Sequence, residues 1–257
     1  MQNLFTKTES AHNWLLKIAY DGTPYRGWQI QPNALTIQQI IEEKLLILLN
    51  EPIRIIGSGR TDAGVHALEY TANFPFQGII NTRRLVRSLN ALLPYEIRIL
   101  DVEEVDLTFH ARFSAKSKIY HYYITSNQIQ LPFRRHFRTH VTYPLDINLI
   151  REASAHFVGT HDFTTFANSA HTGSAKNKPI KTLTRCHLIE EEEGFRIEME
   201  ADGFLYKMCR NIVGTLIDCG RKKRSPDTIP ALFEAKDRKK APNSALAHGL
   251  FFIKANY

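Results

Sequence analysis

Between Trp14 and Val102, apolar residues switch between a two-residue and a helical period in a fixed order, and no fold built from one kind of element accommodates that. Trp14–Tyr20 reads as a strand ending at the turn Asp21-Gly22-Thr23-Pro24. Thr36-Ile-Gln-Gln39 has the form of a capping box, which predicts a helix to about Leu49. Ile53–Ile56 reads as a short strand, Gly57–Gly64 as a glycine-punctuated loop, and the residues after it as a strand to about Phe74. Thr82–Leu92 reads as a helix stopped by Pro94, and Ile97–Val102 as a strand.

The β-α-β-β-α-β order is that of a ferredoxin-like half. The remaining residues mix the same elements. Ser117–Thr125 alternates as a long strand, and Asp146 caps a helix expected to end at Gly159. Thr182–Glu190 and Phe195–Glu200 read as a hairpin around the acidic turn 191–194. A helix is expected from about Phe204 to Cys219, a short one near Ile229–Ala235, and a last strand over Gly249–Ala255. Residues 168–178 carry no apolar period and read as a basic loop. The expected class is α+β, with a mainly antiparallel sheet, flanking helices and two related halves.

A chain of 257 residues with 43% hydrophobic and 23% charged side chains buries a core without staples, which excludes wholesale disorder. Its longest aliphatic run, Leu45–Leu49, is far short of a membrane helix. No basic-then-apolar leader is visible, and Cys186, Cys209 and Cys219 form no CxxC, so reduced thiols in a cytoplasmic protein are expected. The net charge of +7 is uneven: −2 over residues 1–108, +7 over 109–182, −4 over 183–200 and +6 over 201–257. Two cationic stretches point to a polyanion, nucleic acid first, or to a solvated basic surface.

The sharpest local feature is Gly57-Ser-Gly-Arg60-Thr-Asp62-Ala-Gly-Val-His66. It lacks the Lys-Ser/Thr of a phosphate-binding loop and the third glycine of a dinucleotide fingerprint. It sets one carboxylate beside one guanidinium: Asp62 as nucleophile or base with Arg60 on a phosphate, or Asp62 as a turn residue capping backbone N–H groups. On the expected helix after Gly203, the apolar stripe is core, while Gly203, Lys207, Arg210 and Gly214 share a neighbouring face. Aromatic and cationic residues interleave in Phe109–Ser114 and Lys118–Tyr123, a pairing used on single-stranded RNA and equally ordinary as strand core. No His or Cys cluster has metal-ligand spacing.

Seven segments together carry a resemblance. They are Tyr20-Asp-Gly-Thr-Pro-Tyr-Arg-Gly-Trp-Gln29, Gly59-Arg-Thr-Asp-Ala-Gly-Val-His66, Phe109-His-Ala-Arg-Phe-Ser-Ala115, Tyr120-His-Tyr-Tyr123, Gly159-Thr-His-Asp-Phe163, Met208-Cys-Arg-Asn-Ile-Val-Gly214, and Ala241-Pro through Gly249-Leu250. In this order, and across nearly the whole chain after residue 13, the sequence resembles the tRNA pseudouridine synthase A family. The resemblance implies two ferredoxin-like halves sharing one sheet: a tail at 1–12, a first half at 13–108 with the aspartate loop, and a second half at 109–257 with basic RNA-binding segments. It implies isomerisation of uridines 38, 39 and 40 in the anticodon stem-loop of tRNA, by a cytoplasmic homodimer with no metal, no organic cofactor and no membrane partner. It makes Asp62 the catalytic residue, Arg60 the residue that takes the target base out of the stack, Tyr120 a tyrosine packed on that base, Arg210 the cation paired with the aspartate, and Leu250 an apolar pocket residue. Lys207 and Cys209 stand where the family's helix is often differently filled, so only Arg210 is carried over from it. Segment 167–178 varies in the family. Two rivals remain at this point: a non-catalytic tRNA-binding chaperone, and a hydrolase using Asp62 with His66.

Overall fold

The computed structural model describes residues 4–168 and 178–257, so the expected basic loop lies almost wholly outside the described residues. The chain divides into two compact units, Met1–Lys116 with Phe252–Tyr257, and Ser117–Phe251. The class is α+β with mostly antiparallel strands, as expected. The division falls after Lys116 rather than Thr108, because two buried asparagines described below tie residues 106–111 to the first unit.

The first unit holds β1 (Phe5–Tyr20), α1 (Ile37–Leu49), β2 (Ile56–Gly57), β3 (His66–Ile80), α2 (Thr82–Leu92) and β4 (Ile97–Val105). Strands run in the order β4-β1-β3, with β2 on β3. Trp14, Leu16, Ile18 and Tyr20 of β1 meet Tyr70, Ala72 and Phe74 of β3 in a core closed by Ile41, Leu45, Leu85 and Leu89 of the helices. β1 begins nine residues before the expected strand, and residues 5–12 are no tail: Phe5 pairs with Ile80 and Thr6 with Ile79. This stretch is mostly polar and exposed, with residues 5–7 and 12 paired to β3 and the register broken between them, and it leaves little apolar alternation to read.

β2 is shorter than Ile53–Ile56 for a local reason. Glu42 Oε1 accepts the Ile55 N–H (3.0 Å) and Gln38 Nε2 donates to the Ile55 carbonyl (3.1 Å). Two side chains of α1 thus satisfy the backbone groups that a ladder would have used. The capping box is half made. Thr36 Oγ1 takes the Gln39 N–H (3.4 Å), while the Gln39 amide turns to Glu43 (2.9 Å).

The second unit holds β5 (Ser117–Thr125), β6 (Thr139–His140), α3 (Ile147–Ala155), β7 (Gly159–Asp162), β8 (Ile180–Glu191), β9 (Gly194–Ala201), α4 (Met208–Gly220) and α5 (Ile229–Ala235). β10 (Leu250–Asn256) starts here and ends in the first unit. The antiparallel order β5-β9-β8-β7 repeats β1-β3-β2 with one strand added, and β6 lies parallel to β5. Asp146 caps α3 through the Asn148 and Leu149 N–H groups, as expected, but the helix ends at Ala155 and Gly159 opens β7 instead. Helix α4 starts at Met208, not near Phe204, because Lys207 is left-handed at φ 63°. Gly203 and Lys207 therefore do not share a helix face with Arg210 and Gly214.

The acidic hairpin is neutralised from within the unit. Arg196 bridges Glu191 (2.6 Å) and Glu198 (2.7 Å), and Arg138 pairs with Glu191 as well. Burial alone would raise both carboxyls, yet Arg196, together with Arg138 at Glu191 and the charges of His121 and Arg185 at Glu198, holds them below the usual range. Groups whose folded pKa is depressed stabilise the fold fully above their ordinary value of 4.5 and lose that contribution as pH falls through the folded value. The urea midpoint is therefore expected to fall steadily from about pH 4.5 downward. Arg196→Gln should flatten that dependence in circular-dichroism titrations; an unchanged profile would mean that these pairs contribute nothing to the acid response.

Candidate functional site

The glycine-punctuated loop is built against the Tyr20–Gln29 segment, both within the first unit. Tyr20, at the end of β1, shares a hydrogen bond with Thr61 Oγ1 (2.9 Å). Burial pushes the Tyr20 phenol well above its ordinary value, against the Thr61 bond, so it stays protonated. The Trp28 N–H reaches the Thr61 carbonyl (3.3 Å), and Gly64 N–H reaches the Tyr25 carbonyl (3.4 Å). Gly27 sits at φ +88°, and a Cβ there would collide with the Thr61 carbonyl oxygen. Only glycine allows both that conformation and that approach. From β3, Tyr70 grips the other end of the loop: its hydroxyl receives the Gly59 N–H (3.2 Å) and donates to the Gly59 carbonyl, while Ser58 N–H bonds the Thr71 carbonyl (2.9 Å).

Between these anchors Arg60 is exposed and Asp62 half-buried. The Asp62 carbonyl takes the Val65 N–H (3.2 Å), closing the turn after it. His66 follows as a buried residue, 1% exposed. Its Nδ1 lies 3.1 Å from both the Gly22 N–H and Asp21 Oδ1, and one nitrogen cannot accept from the first while donating to the second. Asp21 Oδ1 already takes the Thr23 N–H and hydroxyl, so the acceptor role fits. The ring is thereby tied to the turn after β1.

In the second unit, Tyr120 is a buried residue of β5, opposite Met199, with its ring edge-to-face on Phe204 (5.0 Å). Leu250 is buried at the start of β10. Arg210 lies in the first turn of α4, half-buried. Its Nε donates to the Ala245 carbonyl (2.7 Å), and the Ala245 N–H returns to the Arg210 carbonyl (2.9 Å). A Cβ on Gly214 would strike the Asn243 carbonyl oxygen. Two of the segments that carry the resemblance, 208–214 and 241–250, are thus interlocked.

Sequence reasoning passed over the residues that do this holding. Asn211 is fully buried, donates to the Phe166 carbonyl (2.7 Å), and accepts from Arg238 (3.0 Å) and Ser244. Gly159–Phe163 is architectural. Asp162 takes the Thr164 N–H (3.0 Å) and pairs with Lys236 (3.3 Å), and His161 stacks on Phe233 (4.3 Å). The signal available was a polar residue at a position whose period demands an apolar one, as with Asn211 in α4.

Much of the positive charge also serves the fold. Arg134, Arg138, Arg151, Arg185 and Arg196 pair with the hairpin glutamates. Arg221 lies over Tyr143 (3.8 Å), Lys222 pairs with Asp146 (3.3 Å), and Arg224 donates to the Lys240 carbonyl (3.2 Å). Among the described residues, no three His, Cys, Asp or Glu side chains converge to hold a metal, and no helix is long and apolar enough to cross a membrane.

Tyr20→Phe removes the partner of a buried hydroxyl and should lower unfolding free energy by about 1 kcal/mol. Gly27→Ala should cost more, since strain adds to the collision. Urea denaturation checks both; parent-like stability in either variant would show that the loop is not held from this side.

The family model described as tRNA pseudouridine synthase matches residues 17–114 and 153–257. The chain is 51% identical over 247 residues to tRNA pseudouridine synthase A 1 of Protochlamydia amoebophila, covering 96% of each. It is 42% identical over 245 residues to tRNA pseudouridine synthase A of Acetivibrio thermocellus, covering 95% of this chain and 99% of that one. The corresponding protein of Chlamydia muridarum is 43% identical over 239 residues, with 92% and 88% covered. The loop that bears Asp62, the β1 turn that holds it and the α4 segment that carries Arg210 all lie inside the matched residues, and the chain belongs to the tRNA pseudouridine synthase family.

Proposed function

We propose that this chain isomerises uridine to pseudouridine at positions 38, 39 and 40 in the anticodon stem-loop of tRNA. The observation that carries the reading is the placement of Asp62: a half-buried carboxylate on a loop pinned by buried Tyr20, Trp28 and Tyr70. A residue meant only to close a turn needs no such bracing.

The chemistry asks little more than this. The N1–C1′ bond breaks, the uracil turns, and C5 bonds to C1′; the C5 hydrogen leaves as a proton and N1 takes one up. No electrons or phosphate are exchanged, so the reaction calls for no cofactor. Asp62 serves as nucleophile at C1′ or as a base that assists deprotonation of the sugar as the N1–C1′ bond breaks. A stacked base is out of reach, so it is flipped, at a cost of a few kcal/mol. Arg60, exposed two residues away, fills the vacated space. The family resemblance assigns Tyr120 and Leu250 to the surface on which the base packs, and Arg210 to the cation that favours an ionised aspartate. The enzyme works as a cytoplasmic homodimer that recognises tRNA through shape and phosphates more than base edges.

Asp62→Asn is expected to abolish product while leaving tRNA affinity within a few-fold. Release of tritium from tRNA carrying 5-tritiated uridine reads the reaction, since only replacement at C5 expels that hydrogen. Unchanged RNA mass excludes hydrolysis, and turnover by the Asn variant would remove Asp62 from the chemistry. A wild-type protein that binds tRNA without tritium release would be the chaperone.

Affinity is expected to fall steeply with salt as phosphate counterions are released. Because Arg221, Lys222 and Arg224 are already engaged within the second unit, neutralising residues 221–224 should change the log–log slope by less than four full charges would. Filter binding across a salt series measures it, and a slope near zero in the wild type would count against a polyanion substrate.

A further inference from the structure

Of the two segments that interleave rings with cations, Lys118–Tyr123 turns its rings inward: Tyr120 and Tyr122 are buried, and Tyr123 packs on Phe251 (5.1 Å) under Arg138. The other segment does the opposite. Phe113 is 74% exposed. A single exposed ring is unremarkable by itself. This one is held still. The His110 ring backs it at 4.3 Å and 33°. His110 Nδ1 accepts the Arg112 (3.2 Å) and Phe113 (3.3 Å) N–H groups, Ser114 Oγ accepts the His110 N–H (3.0 Å), and the His110 carbonyl takes the Phe113 and Ser114 N–H groups.

Beneath this turn, two buried asparagines on β1 and β3 fix its approach. Asn13 Nδ2 donates to the Asp106 and Phe109 carbonyls (3.0 Å each), Asn73 Oδ1 accepts the Ala111 N–H (2.9 Å), and Asn73 Nδ2 donates to Asn13 Oδ1 (2.9 Å). Tyr257 adds a bond to the Ala111 carbonyl (2.8 Å). Buried amides are costly unless paired, and apolar side chains would suit a sheet position as well. These two are satisfied by the one conformation that presents Phe113. Asn73 also faces Ile56 at the root of the Asp62 loop, two residues from Thr71, which bonds Ser58. Both loops hang from the same stretch of β3. Arg112, exposed, keeps its guanidinium 5.4 Å from the Phe113 ring.

Resting on the reading that tRNA is the substrate, we propose that Phe113, backed by His110, is a stacking platform for an unpaired nucleobase of the RNA, with Arg112 on the adjoining phosphate. A ring face offers stacking to any base, and a neighbouring cation supplies the charge that a phosphate needs.

The test uses the full-length protein and an unmodified tRNA transcript, with filter binding across a salt series and tritium release in parallel. Phe113→Ala should weaken binding by about five- to a hundredfold at every salt concentration, leaving the salt slope unchanged. Phe113→Trp should restore affinity, and Phe113→Leu, apolar but without a ring face, should not. Arg112→Gln should instead lower the slope by about one. Parent-like affinity and turnover in Phe113→Ala would overturn the proposal. So would equal rescue by Leu and Trp, or a change in sedimentation that tracked the lost affinity, which would assign the ring to a contact between copies. A wild-type protein that neither binds nor isomerises tRNA would fail the functional reading itself, before any variant is made.

Discussion

The Tyr20–Thr61 hydrogen bond and the close approach of Gly27 to the Thr61 carbonyl set the terms for the first unit. A loop with several glycines has little conformational preference of its own. It becomes a fixed platform because the end of β1, the turn after it and Tyr70 of β3 each take hold of a different backbone or side-chain group. Asp62 and Arg60 are presented by residues that never need to touch a substrate. The geometry at the carboxylate is inherited from a hydrophobic core that includes Tyr20, Trp28 and Tyr70, with the Trp28 and Tyr70 rings 4.0 Å apart.

The second unit uses polar side chains for the same purpose. Asn211 joins α4 to the Phe166 turn, to Arg238 and to Ser244, while Gly214 lets the Asn243 backbone lie directly on the helix. Arg210 is held by Ala245 on both its side chain and its backbone. The hairpin glutamates, in turn, consume arginines that a count of charge along the chain credits to RNA binding. Net charge by segment therefore overstates the surface left for phosphates, since ion pairing depends on which strands are neighbours.

The elements that sequence periodicity located are those whose apolar face is buried in the ordinary way: α1, α2, the central part of β1, β5 and the hairpin of β8 and β9. Periodicity failed where backbone groups found partners outside the ladder or helix. Ile55 was lost to β2 because Glu42 and Gln38 reached it from α1. Residues 5–12 extended β1 through pairing with β3 at residues 5–7 and 12, which leaves little hydrophobic record. Lys207 delayed the start of α4 with one left-handed residue, a choice invisible in a run of helix-compatible side chains.

By itself the sequence determined the α+β class, the order of strands and helices in the first unit, the family, and the identity of Asp62, Arg60, Tyr120, Arg210 and Leu250 as the residues to examine. These follow from local pattern and from motifs, which are properties of neighbours along the chain. Tertiary structure alone decided which aromatic residues are core and which are displayed, which cations are already paired, and that His66 is tied to a turn. Each of those depends on groups brought together from distant positions, as Asn13 and Asn73 are brought to residues 106–111. A buried amide must find its partner wherever folding puts one.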